Sequence, residues 1–408
     1  MELFEAERDR EEFEALLPEA LGWLRSMVEI NSFTANADGV NHLGLLTAEA
    51  FATLGFSAEF VPSEDTRFGR HLLLSGGAPE GRPVVCVSHL DTVYPEEEER
   101  RHGFGWQEVV SEGRIYGPGT VDIKGGTVLI WMLFRVLMKR FPEVFAGVRW
   151  VVALNASEEV MGRDFGRLVS ARCAGEAKGV LVFEGGPRVG SEYQLVTARK
   201  GRAEYEVRAL GRGAHAGSNH AEGINAVVAL ASAIQEAAAL TDYGRGLTVN
   251  VGSVSGGTVV NRVPHEAMME LEMRAFAPEV LEEARQRLAG LEGLDFGGAQ
   301  LEVKCRGASP AWPRSVGANP LLRCWVEASR GLGMEIRDTA RGGLSDANYL
   351  HHLGPTLDGL GPSGANAHCS ERSADGSRVP EYVEPDSLIT KGVLNLHGLR
   401  RWMEATQR

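Results

Sequence analysis

The sequence predicts an α/β protein, a mostly parallel sheet domain into which a smaller α+β domain is inserted. Three observations carry that prediction. Apolar runs of strand length alternate with longer helical patterns, several of those runs end in an acid or an imidazole, and between about residues 198 and 307 the pattern changes to strand, helix, two strands, helix, strand. The expected organisation is a first part over 1–197, an inserted domain over 198–307, and a return to the first domain over 308–408.

The first informative run is Val84-Val85-Cys86-Val87-Ser88-His89, apolar and preceded by Gly81 and Pro83. It reads as a buried strand whose exit carries His89 and then Asp91. Residues two apart in an extended chain face the same way, which sets Asp91 behind His89 to accept its second ring N–H. From Gly113 to Gly126, five glycines and Pro118 lead into the apolar series Val128 to Leu137. Such a stretch suits a loop that delivers Asp122 to a crowded place and then opens a helix, with Asp122 as the natural bridging ligand. Its spacing fits neither a Walker nor a dinucleotide fingerprint.

A second strand candidate, Val148 to Leu154, ends in Asn155-Ala156-Ser157-Glu158-Glu159. Adjacent carboxylates in a non-helical exit point to different sides, so Glu159 is read as a ligand and Glu158 as the base facing the attacking water. Taken alone, the pair also fits a helix start facing its dipole. Gly179 to Phe183 repeats the pattern and ends at Glu184, while His368 lies in Gly364 to Arg372, a stretch without apolar periodicity. Together these side chains belong at the carboxyl edge of a sheet, where open α/β folds bind ligands. Two acids or imidazoles per ion plus a shared carboxylate is the pattern of two-metal hydrolytic sites, whose ions sit about 3.5–4 Å apart.

Composition agrees with a globular hydrolase. At 408 residues, 43% hydrophobic and 24% charged, the chain has room for two domains of ordinary size. The formal net charge of −13 argues against nucleic acid or an anionic membrane as partner. It does not exclude an anionic substrate, because metal ions set the local field. The first residues are acidic and no apolar run reaches the roughly 18 residues that span a bilayer, so the cytoplasm is the expected location. Cys86, Cys173, Cys305, Cys324 and Cys369 form neither a disulfide framework nor a Cys-x-x-Cys site, and Cys369 reads as a small filler beside His368. The run Pro95 to Arg101 reads as a solvated acidic loop.

Ser88-His89-Leu90-Asp91-Thr92-Val93, the loop Gly117-Pro118-Gly119-Thr120-Val121-Asp122-Ile123-Lys124-Gly125-Gly126, Ser157-Glu158-Glu159 and the late His368 resemble the two-zinc peptidase family of glutamate carboxypeptidase, acetylornithine deacetylase and succinyl-diaminopimelate desuccinylase. The motifs occur in the expected order over most of the chain. Glu184 in place of Asp, and Pro118 in the loop, look closer to the glutamate carboxypeptidase branch. The resemblance implies two Zn2+ per subunit, with Co2+ or Mn2+ compatible with the same donors. It also implies that Asp122 bridges the ions, that His89 and Glu184 hold one, and that Glu159 and His368 hold the other. Asp91 then supports His89, and Glu158 deprotonates the bridging water and protonates the leaving amine.

In the inserted region, Ala203 to Leu210 alternates as a half-exposed strand, a helix follows from about Asn225 to Leu240, strands cover Leu247 to Val254 and Glu266 to Phe276, and a charged helix lies near Pro278 to Leu291. In the resembled family this insertion is the lid and the homodimer contact. Within it, Gly211-Arg212-Gly213-Ala214-His215-Ala216-Gly217-Ser218 holds a His between glycines, poor core material in a polar loop. The matching His of the family binds the substrate carbonyl across the dimer, so His215 is expected to serve the partner's oxyanion. Asn261 resembles the family's substrate-contacting Asn. Lys200, Arg274 and Arg341 are candidates for a carboxylate clamp, Arg341 because it sits in a glycine-rich stretch, Arg341-Gly342-Gly343.

The expected activity is therefore zinc-dependent hydrolysis of an amide that releases a C-terminal amino acid, glutamate first, from peptidyl or N-acyl small molecules through a metal-bridging hydroxide. Deacetylation or desuccinylation of N-acyl amino acids is the alternative that shares every ligand. A non-catalytic binding or assembly protein on the same fold is the alternative of another class, disfavoured because it has no need of Glu158.

Overall fold

In the computed structural model, which describes residues 2–160, 162–314 and 319–406, the chain divides into two units. The first comprises Met1–Thr197, Ser315–Thr339 and Ser345–Arg408, and the second Ala198–Arg314 with Ala340–Leu344. The second unit runs on past residue 307 because the strand Gln300–Ser309 is part of its sheet and the Arg199 and Trp312 backbones exchange hydrogen bonds.

The main sheet of the first unit has the strand order Ser57–Pro62, Arg70–Gly77, Arg149–Asn155, Val84–His89, Gly179–Val182, Thr356–Leu357. Its last four strands run parallel and the first two antiparallel. The α/β class stands, with a mixed edge on the parallel core. Val84–His89 is buried at every residue, which is why its sequence is a continuous apolar run and not an alternation. The helix Lys124–Arg140 is buried on nearly every side over its first three turns. It packs on the Val84–His89 strand and on the long helices Glu2–Val28 and Pro385–Thr406. Gly126 makes this approach possible: a Cβ there would lie 2.1 Å from the Phe183 carbonyl oxygen. A second small sheet, ordered Gly364–Ala365, Tyr382–Val383, Arg114–Tyr116, Gln107–Val109, ties the segment before His368 to the segment before Asp122.

The second unit is a four-stranded antiparallel sheet, ordered Thr248–Gly256, Glu266–Ala275, Gly201–Leu210, Gln300–Ser309. The helices Ala226–Ala238 and Pro278–Ala289 cover one face. Ala267, Met269, Leu271, Met273 and Ala275 alternate inward along the central strand and form the core with the helices. Thr248–Gly256 lies at the sheet edge and is largely exposed.

One local expectation is corrected. Glu96–His102 is an exposed helix, not a loop, with Pro95 at its N-cap, four acids in its first turn and three basic residues in its last. That distribution complements the helix dipole, and Arg101 pairs with Glu97 one turn away. No helix among the described residues is long and apolar enough to cross a membrane.

Candidate metal centre

His89 is the last residue of its strand and is 2% exposed. Its Nε2 lies 3.1 Å from Asp122 Oδ1 and 3.9 Å from Glu184 Oε1. The other Asp122 oxygen, Oδ2, lies 3.4 Å from His368 Nε2, which is 3.1 Å from Glu159 Oε2. Two groups of three donors therefore form, His89 with Asp122 and Glu184, and Asp122 with Glu159 and His368, and Asp122 is common to both. Two imidazoles and three carboxylates suit zinc, and cobalt or manganese equally by ligand type. The residues fit a pair of divalent ions.

The loops that carry these donors are fixed by backbone hydrogen bonds. Gly119 takes φ +76°, a conformation that favours glycine, three residues before Asp122. His368 takes φ +67° and Asn366 φ +62°. Holding non-glycine residues there costs of order 1–3 kcal/mol each, a strain found where a side chain must be presented in one direction.

Asp91 faces both His89 and the turn at 158–160. His89 Nδ1 sits 3.0 Å from the Asp91 backbone carbonyl and 3.4 Å from its carboxylate. The carboxylate is engaged elsewhere: Oδ1 accepts the Glu158 N–H at 3.0 Å, and Oδ2 accepts the Glu159 N–H at 3.2 Å and the Thr34 hydroxyl at 2.7 Å. Asp91 thus orients the ring chiefly through its main chain, with its carboxylate at 3.4 Å, and the two glutamates through its side chain. Those glutamates open a short 3₁₀ turn, Glu158–Val160, not an extended exit. The turn forms because Asp91 satisfies both of its leading N–H groups.

Burial pushes the Glu158 carboxyl well above the usual carboxylate range; Glu184, Asp346 and Glu159 add to this, and His89 opposes it. Glu158 has no side-chain hydrogen bond among the described residues. For Asp122, burial raises the pKa, but hydrogen bonds from His368 and His89 outweigh it and hold the group below its ordinary value. Hydrogen bonds that His368 donates to Asp122 and Glu159 raise it to about 11 although burial works against them.

Two acids without a local sequence signal belong to this centre. Asp346, 3% exposed, accepts from the Asn155 amide at 2.8 Å and is pushed by burial to about 7. Glu381, fully buried, accepts the backbone N–H groups of Val121 and Asp122. Only the short strand Tyr382–Val383 beside Glu381 hints at order there.

In the second unit, the exposed His215 accepts the Gly217 and Ser218 N–H groups on Nδ1, each at 3.1 Å. That fixes the neutral ring as the tautomer with its proton on Nε2, a donor. The Ala216 N–H reaches the Asn261 carbonyl at 3.0 Å, so His215 and Asn261 lie on paired segments. Arg274 is bidentate to Glu272 at 2.9 and 3.0 Å and also donates to the Gly342 carbonyl at 3.0 Å. Lys200 lies 5.5 Å from the Phe276 ring, its pKa lowered by burial and then by Arg274. Arg341 ends the strand Ile336–Arg341, where a loop was expected, because its carbonyl accepts the Lys200 N–H. It is exposed and pairs with no acid of its unit among the described residues.

The fold and the comparisons define a hydrolytic enzyme of the metallopeptidase and amidohydrolase class. Residues 197–291 match the family model described as the peptidase dimerisation domain. Over 388 residues, 93% of this chain and 89% of the relative, the sequence is 26% identical to carboxypeptidase G2 of Pseudomonas sp. (strain RS-16). It is also 26% identical to succinyl-diaminopimelate desuccinylase of Halorhodospira halophila over 79% of this chain and 85% of that one. The aminopeptidase PepT of Bacillus cereus shares the fold with a TM-score of 0.76 at 20% identity, covering 95% of this chain and 99% of that one. The chain is thus similar to a carboxypeptidase and a desuccinylase over most of its length.

Proposed function

We propose that the protein is a two-zinc amide hydrolase that releases a C-terminal amino acid, glutamate first among candidates, from small peptidyl or N-acyl substrates. The observation that carries the proposal is the division of Asp122, whose two oxygens face different imidazoles in two three-donor groups. His89 and Glu184 would hold one ion with Asp122, and Glu159 and His368 the other. When bound, the ions would polarise the scissile carbonyl and lower the pKa of a water from about 15.7 towards 7.

The chain's own part is proton transfer and orientation. Glu158 takes the proton from the attacking water and returns it to the departing nitrogen. The desolvation of its carboxyl, which has no side-chain hydrogen bond among the described residues, suits a group that must hold a proton between two steps. Asp91 fixes the turn that sets Glu158 apart from Glu159. His215, with its proton on Nε2, donates to the carbonyl oxygen of the partner subunit's substrate as negative charge develops there. Arg341 and Lys200 bind the substrate carboxylate, while Arg274, held by Glu272, orders the Gly342 turn.

A homodimer through the second unit is supported by the matched family description, by the exposed edge strand Thr248–Gly256, and by exposed Val227, Val228 and Val254. Deacylation of N-acyl amino acids is the second reading, favoured by the likeness to the desuccinylase. A chromatographic screen of paired substrates with added zinc, cobalt or manganese separates them. Release of C-terminal amino acids from many acyl groups supports the carboxypeptidase, activity restricted to one acyl group supports the deacylase, and no turnover on either panel by metal-loaded protein removes both.

A further inference from the structure

We propose that Glu381 is the positioning residue for the shared ligand Asp122, locked in place by Tyr94. This rests on the two-metal reading and adds to it a residue that touches no ion. Glu381 Oε1 accepts the N–H groups of Val121 at 2.9 Å and Asp122 at 3.0 Å, across 260 and 259 residues of sequence. Its Oε2 accepts the Tyr94 hydroxyl at 2.8 Å. Glu381 is 0% exposed and Tyr94 1% exposed, so water replaces none of these bonds.

The main chain of Glu381 does the complementary task. Its N–H donates to the Cys369 carbonyl at 2.8 Å, next to His368, and its carbonyl accepts the Gly117 N–H at 3.3 Å. One residue therefore connects the loop that carries Asp122 with the loop that carries His368. The two Asp122 oxygens can face His89 and His368 at once only if the peptide plane at 121–122 is held, and Glu381 is the group that holds it. A buried carboxylate beside a second carboxylate is costly unless its lone pairs are occupied, and here three donors occupy them. For packing alone an apolar side chain of similar size would serve.

Outer groups that orient a ligand contribute about 10–100-fold to metal affinity or activity when removed. Glu381→Ala is accordingly expected to weaken metal binding by roughly 10–100-fold, measured by competition of the full-length protein with a chromophoric chelator for Zn2+ and Co2+. The visible spectrum of the cobalt form is expected to change, since Asp122 shifts against its ions. Glu381→Gln keeps an oxygen acceptor for both N–H groups and is expected to recover most of the affinity. Tyr94→Phe is expected to lose less than Glu381→Ala, in the same direction.

Thermal unfolding of the metal-free forms separates positioning from folding. If Glu381→Ala does not fold, Tyr94→Phe and Glu381→Gln carry the test, and wild-type affinity and cobalt spectrum in Tyr94→Phe then overturn the proposal. Wild-type affinity and spectrum in a folded Glu381→Ala overturn it directly, as does a Glu381→Gln variant no better than Glu381→Ala. An unaltered protein that binds neither Zn2+ nor Co2+ defeats the two-metal reading itself, an outcome distinct from all of these.

Discussion

The candidate metal centre of the first unit and the exposed polar residues of the second use ionisable side chains in opposite ways. Around Asp122 the charged groups are buried or half-buried apart from the exposed His368, share partners and are ordered by contacts between carboxylates and main-chain N–H groups, as at Asp91 and Glu381. Around His215 and Arg341 the side chains are exposed, and only the ring nitrogen that faces the chain is engaged. The first arrangement fixes donors before any ligand arrives. The second keeps a hydrogen-bond donor and a cation available at low cost in desolvation. A centre that must hold ions needs the former, and a surface that must meet a variable substrate needs the latter.

The largest effect is expected inside the first of these regions, from the adjacent glutamates. Glu158→Gln should retain both metal ions and lose roughly 10²–10⁴-fold in kcat, the range of general acid–base catalysis. Glu159→Gln should instead lose metal, because its carboxylate lies 3.1 Å from His368. Elemental analysis after gel filtration checks the pair, and equal metal loss in both would erase the distinction that the turn at 158–160 creates.

His215 tests whether the exposed region acts on the buried one of another subunit. His215→Ala should lose about 10²–10³-fold in kcat, the usual effect of removing one oxyanion donor. Mixed dimers of His215→Ala and Glu158→Gln should regain activity, since one of their two sites combines both intact groups. Verified subunit exchange without recovery would confine His215 to a local role.

Arg341 and Arg274 sharpen the contrast within the second unit. If the exposed Arg341 guanidinium binds the substrate carboxylate, Arg341→Ala should lower kcat/KM on free acids by about 1.5–3 kcal/mol, roughly 10–150-fold, with little further loss on the corresponding amides. Arg274→Ala, which breaks a pair with Glu272, should cut acids and amides alike. The carboxypeptidase proposal weakens if Arg341→Ala also treats acids and amides equally.

The parts of this architecture legible in the sequence were those written locally. His89 and Glu159 stand at or just past the ends of apolar runs, and Gly119 and Gly126 mark the loop between them. The second unit's strand and helix order could be read for the same reason, since its alternation along Glu266–Ala275 is unbroken. The partner of Arg274 is also written locally: Glu272, two residues earlier on the strand, faces the same way. The helix Glu96–His102 was likewise written in its acids-then-bases order. Glu381 and Asp346 could not be found this way, because their partners at 121–122 and 155 are brought to them only by the fold. The same holds for Asp91, whose spacing from His89 was visible but whose contact with the turn 67 residues on was not.

The smallest expected effect concerns how the first unit braces that turn from behind. His71 is 1% exposed; its Nδ1 accepts the Ala156 N–H at 3.1 Å, and its Nε2 lies 3.1 Å from Asp164 Oδ2. For Asp164, burial raises the pKa, but hydrogen bonds from His71 and from the Glu64 N–H outweigh it and bring the group down to about 2. A folded pKa below the unfolded value of about 3.9 stabilises the fold fully only above that value, and the contribution disappears as pH falls through about 2. Asp164→Asn should therefore cost about 2 kcal/mol at pH 7, in urea unfolding of the metal-free protein, and progressively less from about pH 5 downward. If the wild type and the variant differ by the same amount at pH 7 and pH 3, the brace behind Ala156 is neutral packing. The candidate centre would then owe its rigidity to Asp91 and Glu381 alone, and its contrast with the exposed residues of the second unit would rest on two carboxylates instead of three.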